Sequence, residues 1–495
     1  MAKRKSGADK RAPAPLKKPP PARAPRRRPD VDPELQAVGR SARKEVRRSQ
    51  LGAWEAADEL RDPVAILAEQ SQGRLQELVP LRHARMAASA LTFYRGAAAL
   101  MSHDLGSQGT TGLTVQLAGD AHLANFGGFA TAERTLVFDL NDFDETLPGP
   151  FEWDVKRLVA SFEVAGRHNG FTATRRAQIV AAVASEYRNA MAEFAGMTRL
   201  DVWYARMQAE DVVNRWVVSN HPDRLASFQR TLAKGRKKTT ARAVSRYTEQ
   251  GPDGELRIIS DPPFVEPLSQ LVGMDETDVR AAVEAILAEY RASLTDDLTV
   301  LLDGYRVVDA ARKVVGVGSV GTRCWIALLV GRDDPTDDLV LQLKEANASV
   351  LESVAPASGY ENHGRRVVEG QRLMQASSDM LLGWTRVPDT DGVHRDFYVR
   401  QMWDWKTSPD LESMDHLAMG VYARVCGWTL ARAHARSGNR YAISAYLGSG
   451  RTFTRAMQEF ADSYADQNQR DYEAFLRAIA EDRFPSPPPE GQDRG

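Results

Sequence analysis

Two short apolar runs, Leu113–Ala118 and Leu136–Leu140, each pass directly into a polar segment, and this pairing constrains the fold more than any other feature of the chain. The first ends on Gly119-Asp120-Ala121-His122-Leu123-Ala124-Asn125-Phe126, the second on Asp142-Phe143-Asp144. Short apolar runs bounded by turn residues read as buried strands, so two strand ends present Asp120, Asn125 and Asp142 together. That set suits phosphoryl transfer. The reaction needs a carboxylate to orient the attacking hydroxyl or take its proton, and oxygen ligands to hold Mg²⁺ against phosphates. Asp120 fits the first role; Asn125 and Asp142 fit the second. The plainer alternative makes Asp120 a loop cap and Asp139–Glu145 a solvated turn ahead of Pro148-Gly149-Pro150. Either motif alone is open to that alternative; together, bracketed by apolar strands, they favour chemistry.

Gly119-Asp120-Ala121-His122 with Asn125, followed by Asp142-Phe143-Asp144 and Gly149-Pro150-Phe151-Glu152-Trp153-Asp154, resembles the HGDxHxxN and DFD signatures of aminoglycoside-phosphotransferase-like members of the protein-kinase-like superfamily. More widely, Phe93-Tyr94-Arg95-Gly96, Gly370-Gln371-Arg372 and Ala431–Gly438 resemble the bacterial family called domain of unknown function 2252, over roughly residues 50–480. The chain departs from the phosphotransferase pattern at Ala118, where HGD begins with a mainly structural His. By the resemblance, Asp154 supports the catalytic loop from below by accepting backbone N–H bonds; as a bare residue it is equally a helix cap or first-turn acid. His122 either contacts phosphate or the catalytic carboxylate, or is a loop His satisfied by backbone.

A second constellation lies downstream. Gly316-Val317-Gly318-Ser319-Val320-Gly321 separates the strand-like runs Arg306–Val315 and Thr322–Val330. In a dinucleotide-binding fold such glycines open a helix; the β-branched and aromatic run here points to a strand-loop-strand flap over phosphates. Leu339–Ala346 reads as an apolar strand displaying one cation, Lys344, and resembles the kinase strand whose Lys contacts the α- and β-phosphates. An edge-strand Lys in solvent is the ordinary alternative. Glu369, on the helically spaced Glu361–Gln375, is the expected acidic partner of Lys344, with Glu352 and Glu361 as competitors. Pairing along the helix to Arg365, Arg366 or Arg372 is the other reading. Arg395–Asp404 reads as a strand leaving into a loop. The resemblance makes its end, Gln401 and Met402 as far as Trp403, the hinge whose backbone meets adenine, against an ordinary aromatic core strand.

In an ordinary kinase-like chain the glycine loop and Lys precede the catalytic loop, whereas here residues 316–344 follow residues 119–142 by nearly two hundred positions. The resemblance therefore implies an α+β, bilobal, kinase-like fold in circularly permuted order. Residues 1–49 are then a basic tail and linker, 50–300 the part of the larger lobe with catalytic loop and metal site, 301–405 the small lobe, 406–480 returning helices and 481–495 a second tail. Val421–His434 resembles the helix that normally runs into the catalytic loop. Termini that lie close at the surface make such permutation feasible. Ala173–Ala195 and Asp275–Leu294 show apolar residues at helical spacing and are expected among the larger lobe's helices.

A chain of 495 residues that is 43% hydrophobic can bury a large core. No apolar run approaches the roughly 20 residues that span a bilayer, and no signal-peptide apolar region opens the chain. Two cysteines, Cys324 and Cys426, give neither a disulfide framework nor metal spacing. A cytoplasmic enzyme without a membrane segment is expected. The first 28 residues hold eleven Lys/Arg and one Asp, rich in Pro and Ala, and are expected to be disordered. Their +10 within a chain of net charge −1 leaves −11 on residues 29–495. Such an arm can hold nucleic acid or an acidic partner by counterion release; the lack of interleaved aromatics favours a solubilising extension. The cluster Lys234–Arg242 is either a clamp for a phosphorylated or acidic substrate or a solvated face.

The expected activity is ATP-dependent, Mg²⁺-assisted transfer to a hydroxyl of a small molecule or a protein. Gly316, Gly318, Ser319 and Gly321 would cover the phosphates, Lys344 held by Glu369 would grip them, and Asp120 would orient the acceptor. AMP transfer from a reversed nucleotide, or nucleotide binding by a non-catalytic scaffold, would use the same parts. A metallohydrolase on Asp120, His122, Asp139 and Asp142 lacks the further His ligands such sites need.

Overall fold

The computed structural model describes residues 33–55, 61–212, 215–216, 240–251, 254–273, 275–314, 316–334, 336–388, 392–402 and 409–484. The basic arm, Lys234–Thr239, Trp403 and the Pro485–Pro489 run lie outside the described residues. What is described is a mixed α+β molecule. Its helical frame comprises α1 (Pro33–Glu45), α2 (Ala90–Gly96), α3 (Phe151–His168), α4 (Ala173–Ala195), α5 (Glu276–Arg291), α6 (His363–Met374), α7 (His416–Ser437) and α8 (Thr452–Ala480), with shorter helices between.

Local chemistry sets the helix ends. Thr172 accepts the N–H of Arg175 to start α4, Asn362 that of Arg365 to start α6, and Asp415 those of Leu417 and Ala418 to start α7. Each supplies an acceptor to N–H groups that have no partner inside the helix. Helices α3, α4, α7 and α8 pack around one large core with Phe151, Leu158, Tyr187, Leu430 and Phe460 inside it. No helix among the described residues is long and apolar enough to cross a membrane. Both cysteines are buried and unpaired.

Two short antiparallel ladders sit on this helical body. Strand β1 (Thr114–Leu117) pairs with β4 (Leu147–Pro150), Thr114 opposite Pro150 and Leu117 opposite Leu147. Strand β2 (Phe126–Ala130) pairs with β3 (Leu136–Leu140), which pairs in turn with β5 (Met207–Gln208). A separate ladder joins β6 (Thr248–Gln250) to β7 (Leu256–Ile258).

The main sheet has six antiparallel strands in the order β12 (Gly383–Pro388), β13 (His394–Gln401), β11 (Asp338–Ala346), β10 (Cys324–Gly331), β9 (Tyr305–Lys313), β8 (Val265–Pro267). Side chains alternate across it as a period of two requires. Val307, Leu329, Leu339, Leu341 and Val399 face Val279, Val283 and Tyr290 of α5, whereas Val308, Leu328, Val330 and Val340 face Val244, Tyr247 and Ile258. The strands are apolar on both faces because both faces are covered. Helix α5 thus belongs to the sheet and not to the helical body, contrary to the expectation for Asp275–Leu294; its periodicity is right, but the surface it meets is not encoded in that periodicity.

Candidate active site

Strand β1 delivers Ala118 and Gly119 to the first turn, and a buried carboxylate holds them there. Asp154 on α3 accepts the N–H of Ala118 at 2.7 Å and that of Gly119 at 3.0 Å, and its Oδ2 lies 3.1 Å from Nε2 of His434. Nδ1 of His434 is 2.8 Å from the Tyr187 hydroxyl. Gly119 has φ of 82°, and a Cβ there would lie 2.1 Å from the Glu145 carbonyl oxygen. Only glycine admits that approach without strain, so the Asp120 loop and the Asp142 turn lie backbone to backbone.

Asp120 is fixed by a second residue of α3. Arg157 donates from Nε to Asp120 Oδ1 at 2.8 Å and from Nη2 to the Tyr94 carbonyl, with its guanidinium 3.9 Å over the Tyr94 ring. Asn125 donates from Nδ2 to the Asp120 carbonyl at 2.9 Å, which leaves its Oδ1 as the atom of that amide able to ligate. His122 is buried. Its Nδ1 accepts the Ala124 N–H, its Nε2 is 3.7 Å from Asp120 Oδ2, and burial pushes its pKa down to about 3 against the pull of Asp120. It is a neutral cap of its own turn.

The Asp142 turn follows β3, and the Asn141 N–H donates to the Asn125 carbonyl at 3.0 Å, tying it to the first loop. Lys344 points into this turn from β11. Its ammonium pairs with Asp144 and stands 3.9 Å from Asp142 Oδ2. Tyr398, opposite Lys344 in the ladder, donates its hydroxyl to the other oxygen of Asp144 at 2.8 Å. Arg366 of α6 donates to the carbonyls of Asp144, Thr146 and Asn347, each at 2.7 Å. Burial opposes both charges, but Lys344 and Tyr398 hold the Asp144 carboxyl below the usual range. Burial and the charge of Asp144 push Asp142 above it, against Lys344 and Arg400.

Some of these groups border one cavity of about 540 Å³. Asp120, Asn125, Asp142, Lys344, Gly316 and Ser319 all border it. The glycine segment joins β9 to β10 through a 3-10 turn at Val317–Ser319, and Ser319 Oγ is 3.5 Å from Asp144 Oδ2. His122, Gly318, Gln401 and Met402 also border the cavity. Gly321 does not line it. With φ of 89° it packs against Arg74 and gives its carbonyl to the N–H of Leu75.

Besides Gly321, expected to cover the phosphates, two expectations are corrected. Glu369 is not the partner of Lys344: it lies 3.7 Å from Arg372 one turn along α6 and is about a third exposed. Helix α6 turns Arg366, Gln371 and Gln375 inward instead, and Asp144 takes the ammonium because it lies directly in front of the strand. The backbone donors of the expected hinge are already engaged, Gln401 N–H with Asp379 and Met402 N–H with the Val340 carbonyl. The Gln401 and Met402 amides therefore have no N–H to offer adenine without breaking those bonds.

Asp144, Arg157, Arg366 and Arg95 are the site residues that motif reading passes over. Arg157 carried a signal: it stands three residues after Asp154 on one helix, so both face the same loop. Among the described residues no group of three or more His, Cys, Asp or Glu is poised to hold a metal ion. The Asn125 amide and the Asp142 and Asp144 carboxylates are nonetheless hard oxygen donors, the set that suits Mg²⁺ when phosphates supply the remaining ligands.

A family model described as an uncharacterised protein conserved in bacteria, domain of unknown function 2252, matches residues 74–478. No curated protein and no solved structure matches the chain.

Proposed function

The chain belongs to the bacterial family described as domain of unknown function 2252, and from the site it carries we propose an ATP-dependent, Mg²⁺-assisted phosphotransferase on a circularly permuted, bilobal kinase-like fold. The observation that supports this most is the approach of Lys344 to Asp144 and Asp142 across some 200 positions of sequence, with Lys344 and Asp142 bordering one cavity together with Asp120, Gly316, Gly318 and Ser319. A Lys on a central strand, a glycine turn at the end of a hairpin and an acid-amide-acid set are the parts phosphoryl transfer requires.

Asn125 and Asp142, with Asp144 beside them, would hold Mg²⁺, which supplies charge neutralisation along the phosphates. Lys344 and the N–H groups of the glycine turn bind phosphate oxygens. Asp120 keeps Oδ2 for the acceptor hydroxyl while Arg157 occupies Oδ1. The acceptor oxygen forms a bond to phosphorus as the bridging bond breaks, the nucleoside diphosphate leaves with the electron pair, and the hydroxyl proton passes to Asp120. Calorimetry with ATP, with and without Mg²⁺, tests this reading. Asp142→Asn should weaken Mg-ATP binding about tenfold or more while leaving metal-free ATP nearly untouched. Equal affinities of the two proteins in both conditions, or no nucleotide binding by the wild type, would overturn it.

A further inference from the structure

We propose that Arg95 is the residue that recognises the terminal phosphate of the nucleotide, within the cavity that Lys344 also lines; the inference rests on the nucleotide site proposed above. Arg95 lies in the last turn of α2, within Phe93-Tyr94-Arg95-Gly96. It borders the cavity with Asp120, Gly318 and Lys344. A Cβ on Gly318 would lie 3.5 Å from the Arg95 carbonyl oxygen, so the residue stands directly beneath the glycine turn.

The site has other cations, and each already has a protein partner. Lys344 pairs with Asp144. Arg157 is taken by Asp120 and Tyr94. Arg400 donates to Gln342 and Asn141, and Lys313 to the Tyr247 hydroxyl. Arg95 differs: its Nε is buried with no hydrogen-bond partner, and its guanidinium makes no ion pair with a described residue. A buried donor left unmade is costly. An arginine between a glycine turn and the carboxylate that orients the acceptor lies where transferring phosphoryl oxygens pass. A planar guanidinium matches those oxygens in two parallel bonds. Burial lowers the pKa of its guanidinium, and Asp120 followed by Glu412 are the acids that oppose this, so Asp120 is the carboxylate of the cavity that its charge feels most.

A contact to the terminal phosphate predicts discrimination between nucleotides. Titration calorimetry of the full chain with Mg-ATP and with Mg-ADP should show the wild type preferring ATP. In Arg95→Gln, ATP affinity should fall about 10- to 100-fold, the range of a charge-assisted bond, while ADP affinity stays within about twofold. Arg95→Lys keeps the charge and loses the fork; it should recover part of the ATP preference, and it serves if the Gln variant does not fold. ATP and ADP affinities that fall together, or an ATP preference unmoved in both variants, would remove Arg95 from the phosphate while leaving the nucleotide site standing. A wild type that binds neither nucleotide would take both proposals down.

Discussion

Lys344 and Asp144 show at the scale of single residues what kind of site this is. The ammonium is almost fully buried and its acid about a quarter exposed. Removing one member of a buried pair leaves the other charge uncompensated, which costs about 3–5 kcal/mol when burial is complete. With Asp144 partly wetted, Lys344→Met and Asp144→Asn should each destabilise by roughly 1–3 kcal/mol, and the double variant by less than the sum. Glu369→Gln should stay within about 0.5 kcal/mol of the wild type, as for any surface change. Urea unfolding of the four variants and the wild type decides; an additive cycle for 344 and 144 would show that the pair carries no coupling. Sequence makes the chemistry of these residues legible but not their partnership. A DFD pattern marks an acidic turn and a lone Lys marks a strand, yet Glu352, Glu361, Glu369 and Asp144 all offer the same carboxylate. Only the rotation of α6 about its axis, set by packing, turns Glu369 away.

At the scale of elements, the glycine turn is two structures in one. Gly316, with nothing within 4 Å of an added Cβ, borders the cavity, whereas Gly321 holds φ at 89° with Arg74 Cβ 3.0 Å from the place its own would take. Gly321→Ala should therefore cost about 1–2 kcal/mol through left-handed backbone strain, and Gly316→Ala about nothing, in paired thermal or urea unfolding. Helix α3 makes a pH-dependent contribution. Lys156 is buried, donates to Gln108 and lies 4.5 Å over the Phe460 ring of α8. Burial pushes its pKa down to about 8, against the attraction of Glu152, from an ordinary value of 10.5. Between those values the unfolded chain keeps a proton that the folded chain sheds, so stability rises with pH. From about pH 8 to about 9.5, below phenol ionisation, the wild type should gain about 1–2 kcal/mol relative to Lys156→Met. A flat difference across that window would refute the shift. Element type was readable where periodicity is strong, as in α4, foreseen to the residue, and in β9 to β11. What each element packs against was not, because α5 shows the same apolar stripe whether it meets helices or a sheet.

For the whole molecule, α7 is the tie between distant parts of the chain. Arg432 donates to the carbonyl of Met374 at the end of α6 at 2.7 Å and pairs with Asp139 on β3, just ahead of the acidic turn. Burial pushes the Asp139 carboxyl above its usual range even with Arg432 beside it, so the pair holds the architecture at an electrostatic cost. Arg432→Met should destabilise by about 3–5 kcal/mol, and the joint Arg432→Met, Asp139→Leu protein should recover part of that loss, read by urea unfolding. A double variant weaker than the single would mean that the stranded Asp139 charge is not what costs Arg432→Met its stability. The order of the two motif groups along the chain was visible in the sequence; this tie was not, since nothing local marks an Arg in an apolar helix as the partner of an Asp 293 positions earlier. Two turns of the same logic meet in α7, where Arg432 secures β3 and His434 reaches the carboxylate beneath the Asp120 loop. On a ribosome adding roughly 5–20 residues per second, both acids emerge some 15–60 seconds before those partners. The nascent chain thus waits, the two carboxylates that brace the site made but unanchored, until nearly the last helix is translated.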